Sequence, residues 1–594
     1  MTDVASLRPI AAVLVSAVAI VPIIASYGRP DLRESWTVLA AVTKFGIVAS
    51  MVPGVLAGQV YVTDFGTFLP GVRFALRADP LGLLFGLVAS LLWLVTSFYS
   101  IGYMRGLDEH DQTRYFAAFA ASLSAAVGVA FASNLIVLFV FYELLTVATY
   151  PLVAHDETET ARAAGRKYLA YTFGGGVAVL AGTALVFWQT GTTAFTPGGI
   201  AALAGSDPLL ARAGFALLAG GFGVKAGLMP LHSWLPDAMV APTPVSALLH
   251  AVAVVKSGVF GISRVVLDVY GPDLMSDLGV DLPLAAVAAF TLLTASVIAL
   301  RQDNLKRRLA FSTVSQLSYI VLGLAVLHPV AMVGGLLHIP AHAFMKITLF
   351  FCAGALHVET HTDDISNMAG IGKRMPLTMG AFGVAAAGMA GIPLVAGFVS
   401  KYFILIGTVT TGQFVFTAAL LLSGILNIAY FWPVVYTAFF ESPGEFDPKP
   451  VVEGPPGGLF TVVTADDSDV VADGGREGED GDGGVPGSHE HHDEHEDADE
   501  DVPEEDIHGY APDHEGQGPM DSNQADEQVA REHGPDRRLA WEHRAPTGAE
   551  STWFMLGPIL FAAAGSVVLG VVPDAAVFLR VIRLIVAGVT GVSV

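Results

Sequence analysis

The chain has 594 residues, 53% of them hydrophobic and only 14% charged, with a mean hydropathy of +0.58. This composition excludes an ordinary soluble protein and fits a polytopic helical membrane protein. The formal net charge of −24 is a local property: residues 441–550 hold 32 acidic residues against six Lys and Arg, and the rest is close to neutral.

Taken in chain order, about fourteen apolar segments reach the ~20 residues needed to span a bilayer. They lie at 10–27, 36–58, 81–103, 113–132, 134–154, 167–189, 209–229, 243–267, 283–300, 309–327, 329–357, 376–407, 412–440 and 553–573. The first, Ile10 to Ile24, runs into Tyr27-Gly28-Arg29-Pro30 without a small-residue cleavage site, so a retained helix is expected. The long twelfth segment is expected to contain a break. The tail Ala576 to Val594 is expected either to lie along the membrane surface or to pack on the bundle. A lone cysteine, Cys352, excludes a disulfide framework and a cysteine metal site.

Loop charges supply an orientation. Loops after odd-numbered spans carry Arg105, Arg114, Arg162, Arg166, Lys167, Arg301, Lys306, Arg307, Arg308, Lys373 and Arg374. Loops after even-numbered spans carry Arg73, Arg77 and Arg212, or only acids such as Asp268, Asp273, Asp277 and Asp281. The odd loops are therefore expected in the cytoplasm, with both termini outside. The acidic insert, which includes His489-Glu490-His491-His492-Asp493-Glu494-His495, falls on the cytoplasmic side. Rich in Gly, Pro and acids, it cannot bury a core and is expected to be disordered. Such a histidine tract can bind Zn or Ni, although its composition reads first as a solvated loop.

Seven ionisable side chains sit inside the spans: Glu143, Lys225, Lys256, His338, His342, Lys346 and Lys401. A charge at the bilayer centre costs about 2.5–3.5 kcal/mol on insertion scales, so each needs a reason. Glu143 has no cation within one turn and must find its partner on another helix. Lys225 lies in Gly-Val-Lys225-Ala-Gly, five residues before Pro230, where an interrupted helix could solvate an ammonium with freed carbonyls. A static Glu143–Lys225 ion pair joining two helices is the competing interpretation. Four prolines, at 230, 236, 242 and 244, then forbid a continuous helix ahead of His250 and Lys256. His250 taken singly reads as a hydrogen-bonded core residue, whereas Lys256 is harder to dismiss. His338, His342 and Lys346 recur at i, i+4 and i+8 and stack on one helix face. Histidine titrates near neutrality, so this face suits stepwise proton transfer. Metal binding is the rival, but no third ligand is evident and a neighbouring lysine would repel a metal. A second proline-broken segment, Gly391-Ile-Pro393, leads to Lys401, and two broken lysine-bearing segments suggest inverted repeats.

Glu143, Gly-Val-Lys225-Ala-Gly, the block Trp234-Leu-Pro-Asp followed by Ala241-Pro-Thr-Pro-Val-Ser-Ala, and Lys401 together resemble the antiporter-like proton-translocating family. That family includes the A-type and D-type subunits of Mrp Na⁺/H⁺ antiporters and the L, M and N subunits of complex I. The resemblance covers about residues 80–440. It implies an all-α polytopic membrane protein of about 14 transmembrane helices, with two inverted five-helix repeats and broken helices 7 and 12. The expected parts are N-terminal helices at 1–112, repeats at 113–270 and 271–440, the insert at 441–550, and helix 14 with a tail at 551–594. By the same resemblance Glu143–Lys225 is the coupling pair, Lys256 the bridge and Lys401 the terminal lysine; the residues themselves add His250, His338, His342 and Lys346 as relay candidates.

The L type adds a long lateral helix for which the tail is too short, the M type usually has Glu where Lys401 stands, and the A type carries a large extra domain. A D-like antiporter subunit is therefore expected, with an N- or M-like subunit of a respiratory quinone oxidoreductase as the alternative. A purely structural scaffold is a third reading. The implied partners are other integral-membrane subunits, protons, Na⁺ and the lipid of the plasma membrane, with no nucleic acid. No residue set for quinone, flavin, iron–sulfur or nicotinamide is evident, so a transporter subunit without cofactor or resident metal is expected rather than an enzyme.

Overall fold

The computed structural model describes residues 1–442, 550–574 and 577–594. These belong to one compact unit; residues 460–542 lie outside the described residues, as does nearly all of the acidic insert expected to be disordered. Thirteen helices among the described residues are long and apolar enough to cross a membrane, and two shorter apolar helices make up a further span. In hydrocarbon every backbone polar group must be satisfied within the segment, so these apolar runs become helices.

They are α1 (Arg8–Ala25), α2 (Pro30–Ala49), α3 (Pro80–Gly106), α4 (Gln112–Phe131), α5 (Leu135–Val153), α6 (Glu159–Thr190), α7 (Pro208–Ala226) and α8 (Thr243–Tyr270). There follow α9 (Asp281–Leu300), α10 (Leu305–Ala325), α11 (Pro329–Thr360), α12 (Pro376–Ala390), α13 (Ala396–Thr410), α14 (Phe414–Phe440), α15 (Trp553–Val571) and α16 (Val577–Thr590). Short polar side chains close several N-termini: Asp79 accepts from the Gly82 amide at 2.8 Å, Asn134 from Val137 at 3.0 Å and Asn304 from Arg307 at 3.1 Å.

Both expected breaks are present. α7 stops at Gly227, which has φ +71°, and the proline-rich stretch follows before α8. α12 stops at Gly391, with φ +90°, and α13 resumes at Ala396. A Cβ on Gly397 would sit 1.9 Å from the Gly388 carbonyl oxygen, so the two halves touch backbone to backbone. α8 is itself irregular, with π-helical turns at Leu248–Val252 and Val265–Tyr270 on either side of Lys256.

α8, α10 and α11 are buried throughout, whereas α1 and α2 leave most of their surface uncovered. α11 is the central element and packs on α3, α8, α10, α12, α13, α15 and α16. Of the two expectations for the tail, packing on the bundle holds: α16 buries Leu579, Val581, Ile582, Ile585 and Val586 and docks against α3 and α11. A three-stranded sheet departs from the all-helical expectation. β1 (Thr2–Ala5) pairs in parallel with β2 (Gln59–Leu69), which runs antiparallel to β3 (Val72–Ala78). Its signals, the β-branched and aromatic run Val60-Tyr-Val-Thr and the Pro70-Gly71 turn, fall between strong hydropathy peaks.

Buried Glu550 caps α12, accepting from the amides of Leu377 at 2.6 Å and Thr378 at 2.8 Å. Glu550→Ala is expected to destabilise the bundle by about 1–2 kcal/mol, since it strands two helix-end donors. Denaturant unfolding of the purified chain in detergent checks this, and an unchanged midpoint would show that the cap contributes nothing.

Candidate functional site

The first cluster joins α5 to α7. Lys225, in the last turn of α7, is fully buried, and its Nζ donates to the Tyr142 carbonyl oxygen at 2.6 Å. The same ammonium sits 3.4 Å from the centre of the Tyr142 ring. One residue on, both carboxylate oxygens of Glu143 are buried and accept no hydrogen bond. No ion pair joins Glu143 to Lys225 within 4.0 Å among the described residues, although each stands in the other's field. The carboxylate is thus held back from the ammonium, without the direct contact that the competing static ion pair would need. At an effective dielectric of 20 a pair of unit charges is worth about 4 kcal/mol at 4 Å and about 2 kcal/mol at 8 Å, so the field still matters.

The Glu143 carboxylate rests on α6 at Gly176, where an added Cβ would lie 1.9 Å from Oε1. Gly176→Ala must displace the carboxylate, whereas Gly174→Ala, with nothing within 4 Å, need not. Gly176→Ala is expected to lower cation-dependent proton flux by about tenfold and Gly174→Ala to leave it near wild type. Flux in membrane vesicles measures both; equal rates would show that the seat of Glu143 is unimportant.

The second cluster gathers around α11. Lys256 on α8 and His342 on α11 are fully buried and share a hydrogen bond, Nζ to Nδ1, of 2.8 Å. His342 Nε2 has no partner. One turn earlier, His338 Nδ1 meets Ser400 Oγ on α13 at 2.8 Å and its Nε2 meets Gln316 Oε1 on α10 at 3.0 Å. The two imidazole centroids are 6.1 Å apart. Lys346, one turn beyond His342, donates to the Leu309 carbonyl at 3.1 Å and to the Ser312 hydroxyl, both on α10. His338, His342 and Lys346 thus occupy one face, as their spacing predicts, with partners on three other helices. His250 corrects its expectation as a hydrogen-bonded core residue: among the described residues neither ring nitrogen has a partner, and the ring packs 5.0 Å from that of Phe350. It sits in the first π-helical turn of α8.

Lys401 lies beyond the second break and reaches back across it. Its Nζ donates to the Met389 carbonyl at 2.5 Å and stands 4.5 Å from the Tyr319 ring centre. Met389 is in the last turn of α12, where carbonyls have no intrahelical donor, so the break supplies the acceptor. Lys225 and Lys401 are therefore both held by a carbonyl and an aromatic face, an arrangement that stabilises an ammonium without fixing it to a carboxylate.

Among the described residues, two further cations buried inside predicted spans stand outside the seven expected ones. Lys44 on α2 donates to the Leu123 carbonyl at 3.0 Å and sits 5.3 Å from the Trp93 ring centre. Arg264 on α8 pairs with Asp79 at 2.7 Å and Asp268 at 2.7 Å, a closed ion triad. The insertion cost that singles out the other seven residues applies equally to these two.

With this geometry in place, residues 132–426 match the model of the NADH:quinone oxidoreductase/Mrp antiporter transmembrane family. NADH-quinone oxidoreductase subunit N of Desulforudis audaxviator is 35% identical over 387 residues, covering 64% of this chain and 75% of that relative. The chain belongs to this family. As a member it is a multi-pass membrane protein. The putative antiporter subunit mnhA2 of Staphylococcus haemolyticus is 32% identical over 443 residues, covering 70% of this chain but only 54% of that relative. The chain therefore spans about half the length of the antiporter relative and three quarters of the oxidoreductase one. A chain in the structure of the Mrp complex from Dietzia sp. DQ12-45-1b has the same fold, with a TM-score of 0.74 at 22% identity over 99% of this chain and 98% of that one.

Proposed function

We propose that this family member is the proton-translocating subunit, of D type, in a multisubunit Na⁺(cation)/H⁺ antiporter of the plasma membrane, assembled with other integral-membrane subunits. The observation that carries the reading is the Lys256–His342 hydrogen bond, which places a titratable junction between two fully buried helices. A proton enters at Glu143 and Lys225, crosses Lys256 and His342, moves along the His338 and Lys346 face with His250 beside it, and leaves through Lys401. α4–α8 and α9–α14 form the two repeat units, each with a glycine-ended broken helix beside a lysine. The basic ends after odd-numbered spans face the cytoplasm, with the termini outside and the acidic insert inside. The match along almost the whole length of a chain in an Mrp complex supports the antiporter assignment.

The likeness to subunit N favours a second reading, in which the same axis serves a respiratory quinone oxidoreductase. Everted vesicles from cells expressing the native assembly separate the two. Under the first reading, added Na⁺ collapses a preformed pH gradient without any redox substrate, and deletion of this chain abolishes the response. Proton movement that requires NADH and quinone, and ignores cations, would replace it with the second.

A further inference from the structure

Outside the buried axis, two loops on one side of the bundle meet around a histidine that no described residue satisfies. The α3–α4 loop carries Glu109 and His110, and His155 follows α5. His155 is fully buried, yet among the described residues neither ring nitrogen has a hydrogen-bond partner. Burying a polar group without a partner forfeits its hydration for nothing, so an imidazole left this way calls for a ligand. One ligand atom each from Glu109, His110 and His155 lies within 4.8 Å of the other two.

The local bonding prepares these groups for a metal. His110 Nε2 lies 3.0 Å from the His155 carbonyl oxygen, which can only accept, so Nε2 carries the proton and the Nδ1 lone pair is left free. That Nδ1 is 3.8 Å from Glu109 Oε2. A carbonyl behind the ring in this way fixes the tautomer of a metal-binding histidine. Arg114 also donates to the His155 carbonyl, at 2.9 Å, and its charge is met by Glu157 and by Asp111 at 3.4 Å. Asp156 lies beside His155, and it and Glu109 stand in the field of Lys306 and His357.

We infer that Glu109, His110 and His155 form a Zn²⁺ site of two imidazoles and one carboxylate that ties the α3–α4 loop to the end of α5. This donor set, with a fourth position left for water, suits tetrahedral zinc. Tetrahedral ligands at about 2.0–2.1 Å from zinc stand about 3.3 Å apart, so the partly exposed Glu109 and exposed His110 close inward on binding.

The test uses the full-length chain in detergent and Zn²⁺ alone as the probe. The rival histidine tract is silenced by His489→Asn, His491→Asn, His492→Asn and His495→Asn. Competition against a chromogenic chelator is expected to show one Zn²⁺ per chain at this site. His110→Ala and Glu109→Gln, both at accessible positions, should each weaken it about tenfold or more. Co²⁺ should give a visible absorption band that His110→Ala removes. Absence of zinc binding in the silenced background, or unchanged affinity in both variants, overturns the site. A His155→Ala chain that remains monodisperse and still binds zinc as tightly would overturn it too.

Discussion

Lys256→Ala is expected to lower cation-dependent proton flux by about 10²-fold or more, the range typical of losing a positioned proton-transfer group. The reason is geometric. Lys256 is the cation that hydrogen-bonds a titratable side chain on another helix, His342 at 2.8 Å, so its removal opens the only direct donor–acceptor link between α8 and α11 among the described residues of the axis. His342→Gln provides the discriminating control, since glutamine can accept a hydrogen bond from the lysine but cannot carry a proton. Near-wild-type flux in His342→Gln would mean that the imidazole only positions Lys256. If the two residues act as one step, the double variant should be little worse than either single one. Simple additivity of the two losses would show that they serve separate steps. Assembly of each variant is checked by co-purification of partner subunits.

Glu143→Gln is expected to slow flux by a comparable factor, about 10²-fold, with Glu143→Asp falling between Gln and wild type. Neither Glu143 oxygen accepts a hydrogen bond, so the substitution removes charge with little loss of bonding. Without that charge, nothing from the carboxylate offsets desolvation of the Lys225 ammonium, which then gives up its proton more readily. The pH profile of flux should therefore move to lower pH in Glu143→Gln, because a more acidic medium is needed to keep Lys225 charged. Glu143→Asp keeps the charge and should move the profile less. Identical rates and superimposable profiles for Gln and Asp would show that charge at this position does not govern Lys225, and the pair would then be a helix-joining feature alone.

Much of the helical framework is legible in the chain itself. The span boundaries agree with the helices to within a few residues for most of the chain, since hydropathy over a ~20-residue window reports directly on what hydrocarbon tolerates. Both breaks are readable from Gly-Pro clusters, because glycine adopts the positive φ that ends a helix and proline lacks the amide donor that would continue one. The His338–His342–Lys346 face follows from spacing alone. Lys44 and Arg264 carry the same signal, a charge in an apolar run, and belong with the seven. The small sheet is hidden because its strands stand between far stronger hydropathy signals.

What the sequence by itself determined is therefore the set of helices, their interruptions, and the identity of most buried ionisable groups, all of which depend on residues close together along the chain. Only the tertiary structure decided what each group meets. Lys225 rests on the Tyr142 carbonyl instead of on Glu143, Lys256 finds His342, Lys401 turns back to Met389, and His155 joins Glu109 and His110. Most of these partners are tens of residues away and are selected by the rotation and register of packed helices. Those quantities are set by side-chain interlocking across the whole bundle, which no local window of sequence contains.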